Sequence, residues 1–241
     1  MMKFPFYIGN FLACFVLGSR RRSNARGNVN NFFYSPIVAR FVKKVFGEKA
    51  HTIKFVRQHT PSRFVCVVND KYFIKIFKKM SHEKLENFEF LVNYVRNLMS
   101  VNIPKVYISR ANNIYATEKI DGKTIYDFDA RFVLQNESKI LRQAEQTVSQ
   151  LQNINLHKIP NPERFCVALE TTSKKMKPEP VTDESVLAHL DLNVRNFLFD
   201  NDMNIIGLID FDSLSITNDK NKDMQIFMKY WNRYKEKAAC N

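Results

Sequence analysis

Between Thr52 and Lys79 apolar positions recur with period two. TIKFVRQ, RFVCVVND and KYFIKIFKK alternate, or run apolar, with β-branched and aromatic side chains, which predicts three antiparallel strands. Asn69–Asp70, between the last two, suits a tight hairpin turn. The period then lengthens. SHEKLENFEFLVNYVRNLMS, Ser81 to Ser100, has helical spacing, with Ser81 placed as a cap and Glu83 and Glu86 in the first turns. IPKVYIS and NIYATEKI return to strand. Five strands with one long helix inserted after the third make a compact unit.

Upstream, SPIVARFVKKVFGEK predicts a helix with Ser35 as N-cap, Pro36 in the first helical position and Gly47 at the end. Asn24 to Asn31, rich in Asn and Gly, reads as a loop. After Asp121–Thr124 the pattern turns helical, and NESKILRQAEQTVSQLQNINLH is its clearest helix. PNPERF and KKMKPEPVTDES read as loops. FLFDNDMNIIGLIDFD reads as a hairpin turning at Asn201–Asp202, and KDMQIFMKYWNRYKEKAA as a final helix. The expected division is an apolar, basic extension and helix over 1–50, a sheet domain over 51–118 and a mainly helical domain over 119–241.

Composition adds a charge argument. The 241 residues are 45% hydrophobic and 25% charged, an ordinary globular balance, but the net charge is +13. That surplus implies polyanionic company: nucleotide phosphates, nucleic acid or an anionic membrane. No nucleic-acid-binding motif accompanies it, and the aromatics sit in apolar runs. The four Cys are far apart and form no CxxC pair, which fits reduced thiols in the cytoplasm rather than zinc or a redox motif. Phe4 to Arg22 is strongly apolar and ends in three arginines. Its charge follows the apolar run, unlike a secretory signal, and the run is shorter than the roughly 20 residues that span a bilayer. It can lie in a membrane interface, with Arg20, Arg21, Arg22 and Arg26 facing lipid phosphates, or pack on the protein itself.

One stretch interrupts a buried-looking run with polar groups: LAHLDLNVRNFLFD, Leu187 to Asp200. Asp191 and Asn196 lie five apart on a segment too short for a helix, so a loop can aim both at one point. Downstream, LIDFD sets Asp210 between Ile209 and Phe211. A lone carboxylate there costs several kcal/mol unless it is paired or metal-bound. The hairpin folds Asp210 back beside Asn196, and two oxygen ligands, hard and partly hydrated, suit Mg²⁺. Asp191 is left to accept a hydrogen bond from an attacking hydroxyl. This is the division of labour of phosphoryl transfer.

HLDLNVRN followed by LIDFD resembles the H-x-D-x-x-x-x-N and I-D-F-[DE] signature of the protein-kinase-like superfamily. The chain falls on the small-molecule side, which includes aminoglycoside and choline kinases. Asn193 stands where typical protein kinases carry Lys, and the string most resembles kinases of lipopolysaccharide core sugars such as 3-deoxy-octulosonic acid. The resemblance implies an α+β, two-lobed kinase-like fold, with a five-stranded antiparallel N-lobe sheet and one helix, and a mainly helical C-lobe. It implies Asp191 as catalytic residue and Asn196 and Asp210 as Mg²⁺ ligands, with ATP as phosphoryl donor. It also implies a Lys on the third strand, met by Lys75, and a Glu on the following helix, met by Glu89 with Glu86 as rival. In YATEKIDG it implies Thr117 at the back of the nucleotide pocket, with the main-chain groups of Glu118 and Ile120 on the adenine. His189 takes a structural role there, Asp212 a supporting one, and Asp223 reads as a helix cap or anchor.

One feature departs from the pattern. The loop between the first two strands, RQHTPSR, has no Gly where relatives often carry it, so phosphate contacts fall to Thr60, Ser62 and Arg63. A nucleotide-binding pseudokinase therefore stays open, as does a small atypical protein kinase of the RIO kind. About thirty residues follow Asp212, which predicts an open groove and an acceptor that is part of something larger. With the basic, aromatic stretch over 4–26, this favours a sugar of a lipid-linked envelope saccharide, handled in the cytoplasm at the inner face of a membrane. The hydroxyl phosphorylated, ATP against GTP, and the oligomeric state are not legible in the sequence.

Overall fold

The computed structural model describes residues 34–56, 63–166, 169 and 180–239. They form two compact units: the chain up to Leu85 with Val106–Lys119, and Glu86–Lys105 with the chain from Ile120 onward.

The first unit is built on one antiparallel sheet of five strands, β1 (Ile53–Val56), β2 (Arg63–Val68), β3 (Tyr72–Phe77), β4 (Val106–Ser109) and β5 (Ile114–Glu118). Their order is β1-β2-β3-β5-β4. The β2–β3 turn is set by Asn69 and Asp70, both at φ +54°, the doubly left-handed turn that matches strand twist. Asn69 also ties the turn down: its Oδ1 accepts from the main-chain N–H of His51 at 2.8 Å and of Thr52 at 3.2 Å, and its amide donates to Lys49 O.

Period two places Tyr72, Ile74 and Ile76 on one face, in register with Val68, Cys66, Ile114 and Ala116. A helix over 34–46, α1, covers that face and buries Val38, Phe41 and Val42 against it. Such burial is worth about 2 kcal/mol per large aliphatic side chain. The chain is already helical at Tyr34, so Ser35 lies inside the helix rather than capping it. Pro36 stays near the helix start, where its missing N–H costs little.

The long helix α2 (His82–Arg96) starts as its sequence directs, with Ser81 Oγ accepting from the N–H of Lys84 at 3.2 Å. It ends at Arg96, short of Ser100, and gives way to a turn.

The second unit holds α3 (Ala130–Gln135), α4 (Glu137–Gln152) and α5 (Lys222–Ala239) around two small two-stranded sheets. One pairs β7 (Phe197–Phe199) with β8 (Ile205–Leu208), the expected hairpin. The other pairs β6 (Val186–Ala188) with β9 (Ser215–Thr217), which the sequence did not announce. Helix α4 stops at Gln152, five residues short of the expected end at His157, and a 3-10 turn at Leu156–Lys158 follows it; a second, at Pro162–Phe165, occupies part of a stretch that reads as loop. Helix α5 is held by Trp231, fully buried, which donates its Nε1–H to Glu137 Oε1 at 2.8 Å, while Lys235 reaches the same oxygen at 2.9 Å. No helix among the described residues is long and apolar enough to cross a membrane.

Candidate active site

The site in the second unit starts where β6 ends. His189 is fully buried, and Leu190 follows at φ +58°, a conformation uncommon for a side chain of its size. Such strain persists only where the surroundings enforce it. Here Asp223 enforces it: from the first turn of α5 its two carboxylate oxygens accept from the main-chain N–H groups of His189 and Leu190, both at 2.8 Å. Asp223 is thus an anchor, the second of the two roles the sequence left open. Burial pushes its carboxyl up from the ordinary value, and the His189 charge and the two N–H groups oppose that rise.

The His189 ring locks the loop to the metal-ligand candidate. Its Nε2 lies 3.0 Å from Ile209 O. A carbonyl can only accept, so Nε2 carries the proton. The ring packs on Phe211 with centroids 4.8 Å apart. It therefore grips both neighbours of Asp210, which supports a structural role for His189. Its Nδ1 is buried and has no hydrogen-bond partner among the described residues.

After Leu190 the chain turns through Asp191 and a 3-10 turn at Val194–Asn196. Asn193 caps that turn by accepting from Arg195 N at 3.2 Å. Asn196, buried, donates its amide Nδ2–H to Asp191 O at 2.8 Å and accepts at its own carbonyl from Ile209 N at 2.9 Å. These bonds tie the Asp191–Asn196 loop to Ile209, the residue before Asp210. Asp210 sits in left-handed backbone at φ +65°, which re-aims its side chain relative to β8.

Asp191 is half-buried, and its carboxylate accepts no hydrogen bond from the described residues. Burial raises its pKa first, and the nearby charges of Asp210 and Asp212 raise it further, while His189 and Arg195 oppose them. A perturbed carboxyl of this kind makes Asp191 a candidate for a functional group. Asn196 Oδ1 likewise accepts from no described residue. Asn196 and Asp210 carry hard oxygen donors of the kind Mg²⁺ takes. Among the described residues no three His, Cys, Asp or Glu side chains cluster as a metal site, so the fit depends on the Asn.

The remaining candidates divide between the units. Lys75 lies on β3, half-buried, opposite Val65 and Tyr115. It is not on the core face: it stands on the side of the sheet away from Ile74 and Ile76, with Nζ 5.6 Å from the centre of the Tyr115 ring. The strand pattern explains this, since period two turns one residue out for each turned in. Thr117 is opposite Phe73, two register positions along, so Lys75 and Thr117 share one face. Glu118 is exposed at the end of β5 and its Oε1 accepts from the Tyr107 hydroxyl at 2.6 Å. Ile120 belongs to the second unit, where its Cγ2 lies by Gly207. Glu89 and Glu86 are both half-buried on α2. Ser62 and the apolar, basic stretch over 4–26 lie outside the described residues. The sequence reading missed Tyr126, which stands 52% exposed on a 3-10 turn packed against Val194–Asn196. An isolated exposed aromatic leaves no periodic signature.

The fold recurs in known proteins. Residues 136–218, which contain Asp191, Asn196, Asp210 and Asp212, match the phosphotransferase enzyme family. Among solved structures, aminoglycoside phosphotransferase APH(2'')-Ib with ADP bound is similar at TM-score 0.58 and 18% identity, over 85% of this chain and 84% of that one. APH(2'')-IIa, in a ternary complex with streptomycin and ATP, is similar at TM-score 0.56 and 17% identity, over 85% and 84%. The apoenzyme of macrolide 2'-phosphotransferase MphH from Brachybacterium faecium is similar at TM-score 0.53 and 14% identity, over 84% and 82%. The chain has the kinase-like fold of the aminoglycoside phosphotransferases. That is the α+β fold expected from the sequence, five-stranded antiparallel sheet included. No curated protein sequence matches the chain.

Proposed function

We propose that the protein is a kinase that transfers the γ-phosphoryl group of ATP to a sugar hydroxyl, in a lipid-linked envelope saccharide of the lipopolysaccharide-core type. One observation carries the chemistry: the Asp191 carboxylate is half-buried, accepts no hydrogen bond from a described residue, and lies with Asn196 and Asp210. The match of 136–218 to a phosphotransferase family supports the reaction class. Relatives in fold solved with ATP and ADP support the donor.

In this reading Asp191 accepts the hydrogen bond of the acceptor hydroxyl and aims its oxygen at the γ-phosphorus. An oxygen–phosphorus bond forms, the bond to the ADP leaving group breaks, and the hydroxyl proton passes to Asp191. Asn196 and Asp210 would hold Mg²⁺, which when bound supplies charge neutralisation at the nucleotide phosphates. Lys75, paired with Glu89, would hold the α- and β-phosphates. Thr117 and the main-chain groups of Glu118 and Ile120 would border the adenine, and Ser62 would contact phosphate. The 4–26 stretch would bring the chain to an anionic membrane at the cytoplasmic face, where the acceptor is made.

The test is incubation of the purified chain with labelled ATP, Mg²⁺ and fractionated envelope lipids. Label entering a glycolipid fraction, and not in the absence of Mg²⁺, is the expected result. Nucleotide binding with neither transfer nor hydrolysis would overturn the reading in favour of a pseudokinase. Label entering protein instead would favour a protein kinase.

A further inference from the structure

We infer that the outer face of helix α1 is a docking surface for an anionic lipid bilayer. The first observation is where the charge lies. The first unit carries 19 Lys and Arg against 4 Asp and Glu, and the second 18 against 20. The whole surplus of +13 therefore belongs to the unit built on the five-stranded sheet.

The second observation is how α1 presents its share. YSPIVARFVKKVF contains three cations and no Asp or Glu. Val38, Phe41 and Val42 are fixed in the core against Ile74, Ile76 and Ala116. That fixes the rotation of the helix. Positions 36, 40, 43 and 44 follow at helical spacing within one arc of about 100° on the opposite side. Arg40, Lys43 and Lys44 are exposed there and pair with no carboxylate among the described residues. Two exposed lysines elsewhere in the unit do have acids: Lys54 is 3.0 Å from Asp70, and Lys71 is 3.2 Å from Glu48. On α1 the cations are left for a partner.

The chemistry of the face selects the partner. It offers point charges along one helix face, beside only Pro36 and Gly47, with no exposed aromatic, Asn or Gln to reach a base edge. Phosphate headgroups spread in a plane ask for nothing more. The sequence that precedes α1 is of a kind with this, an apolar run ending in Arg20, Arg21 and Arg22. Because the apolar side of α1 is already spent on the core, this helix does not insert. Its contact is electrostatic, at headgroup depth, and screened by salt within about 10 Å at moderate ionic strength. The inference does not rest on the phosphotransfer reading: a chain inactive on every acceptor can still bind the bilayer, and an active one can fail to.

The experiment is sedimentation of the full chain with phosphatidylcholine vesicles, with and without phosphatidylglycerol, at low and high salt. Binding is expected only with phosphatidylglycerol and is expected to fall with salt. Arg40→Gln, Lys43→Gln and Lys44→Gln combined should weaken it about 100-fold, and each alone about 5-fold. Neutralising Lys222, Lys229 and Lys237, exposed on α5, serves as the control and should change little. The single variants keep the test readable if the triple variant does not fold, which its thermal melt reports. Unchanged binding of the triple or single variants overturns the inference. So does equal binding to both vesicles, or retention of duplex DNA with no vesicle binding.

Discussion

Asn196 donates its side-chain amide to the main-chain carbonyl of Asp191 across 2.8 Å. This bond sets the rotation of the amide, so Oδ1 faces away from that carbonyl and accepts from no described residue. The residue thus both braces the loop and presents an oxygen. Asn196→Asp keeps the oxygen but loses the donor, and brings a carboxylate against a carbonyl. Turnover should fall at least about tenfold, with a thermal melt lowered as the carbonyl loses its partner. Steady-state kinetics and a melt of the same sample check it; wild-type kinetics would mean the bond is incidental.

Asp223 holds the other end of the loop. Asp223→Ala leaves one buried and one part-buried main-chain donor without their acceptor, at about 1–3 kcal/mol for the buried one. Urea unfolding should show a loss of that order, and kcat should fall because Leu190 is no longer held left-handed ahead of Asp191. Asp223→Asn, with one acceptor oxygen in place of two, should recover part of both. A kcat unchanged at full stability loss would separate Asp223 from the site.

Much of this was legible because burial and polarity conflict in the sequence. A polar cluster inside LAHLDLNVRNFLFD and an Asp inside LIDFD mark Asp191, Asn196 and Asp210 without any coordinates. The sheet was legible by its period, and the Asn69–Asp70 turn by its residue types. Strands β6 and β9 were not. Each is three residues long and its partner is more than twenty residues away, so no local period exists to read. The left-handed Leu190 was not legible either, since its cause, Asp223, sits 33 residues downstream. Lys75 was legible as a residue but not as a side: alternation gives two faces, and α1 decides which is core.

Helix α5 depends on a carboxylate whose pKa is held below its ordinary value by hydrogen bonds from Lys235 and Trp231. A depressed carboxyl stabilises the fold above the unfolded value and loses that contribution as pH falls through the folded one. Glu137→Ala should therefore destabilise at pH 7 by about 1–3 kcal/mol, chiefly by stranding the buried Trp231 N–H. Part of the gap from wild type should close as pH drops below the glutamate value of 4.5. Denaturant titrations at several pH values check this; a gap that widens in acid contradicts the assignment.

Gly122 is a matter of space. A Cβ there would lie 2.9 Å from Leu198 Cβ and 3.2 Å from Ile206 Cδ1, against the β7–β8 hairpin that carries Asn196 and Asp210 to each other. Gly122→Ala should cost about 1–3 kcal/mol and lower turnover. Gly47, at φ +70° with open space around it, should tolerate Ala at about 1–2 kcal/mol with activity intact. Thermal melts and turnover of both variants check the contrast; equal activity losses would contradict it.

The central claim is that Asp191 acts on the transferred proton rather than on the fold. The Asp191→Asn variant, titrated calorimetrically with Mg²⁺–ATP and assayed for phosphoryl transfer at saturating nucleotide, tests it most directly. The account predicts nucleotide affinity within about twofold of wild type and turnover lower by about 10²–10⁴. Wild-type turnover in that variant, with the nucleotide bound, would contradict it.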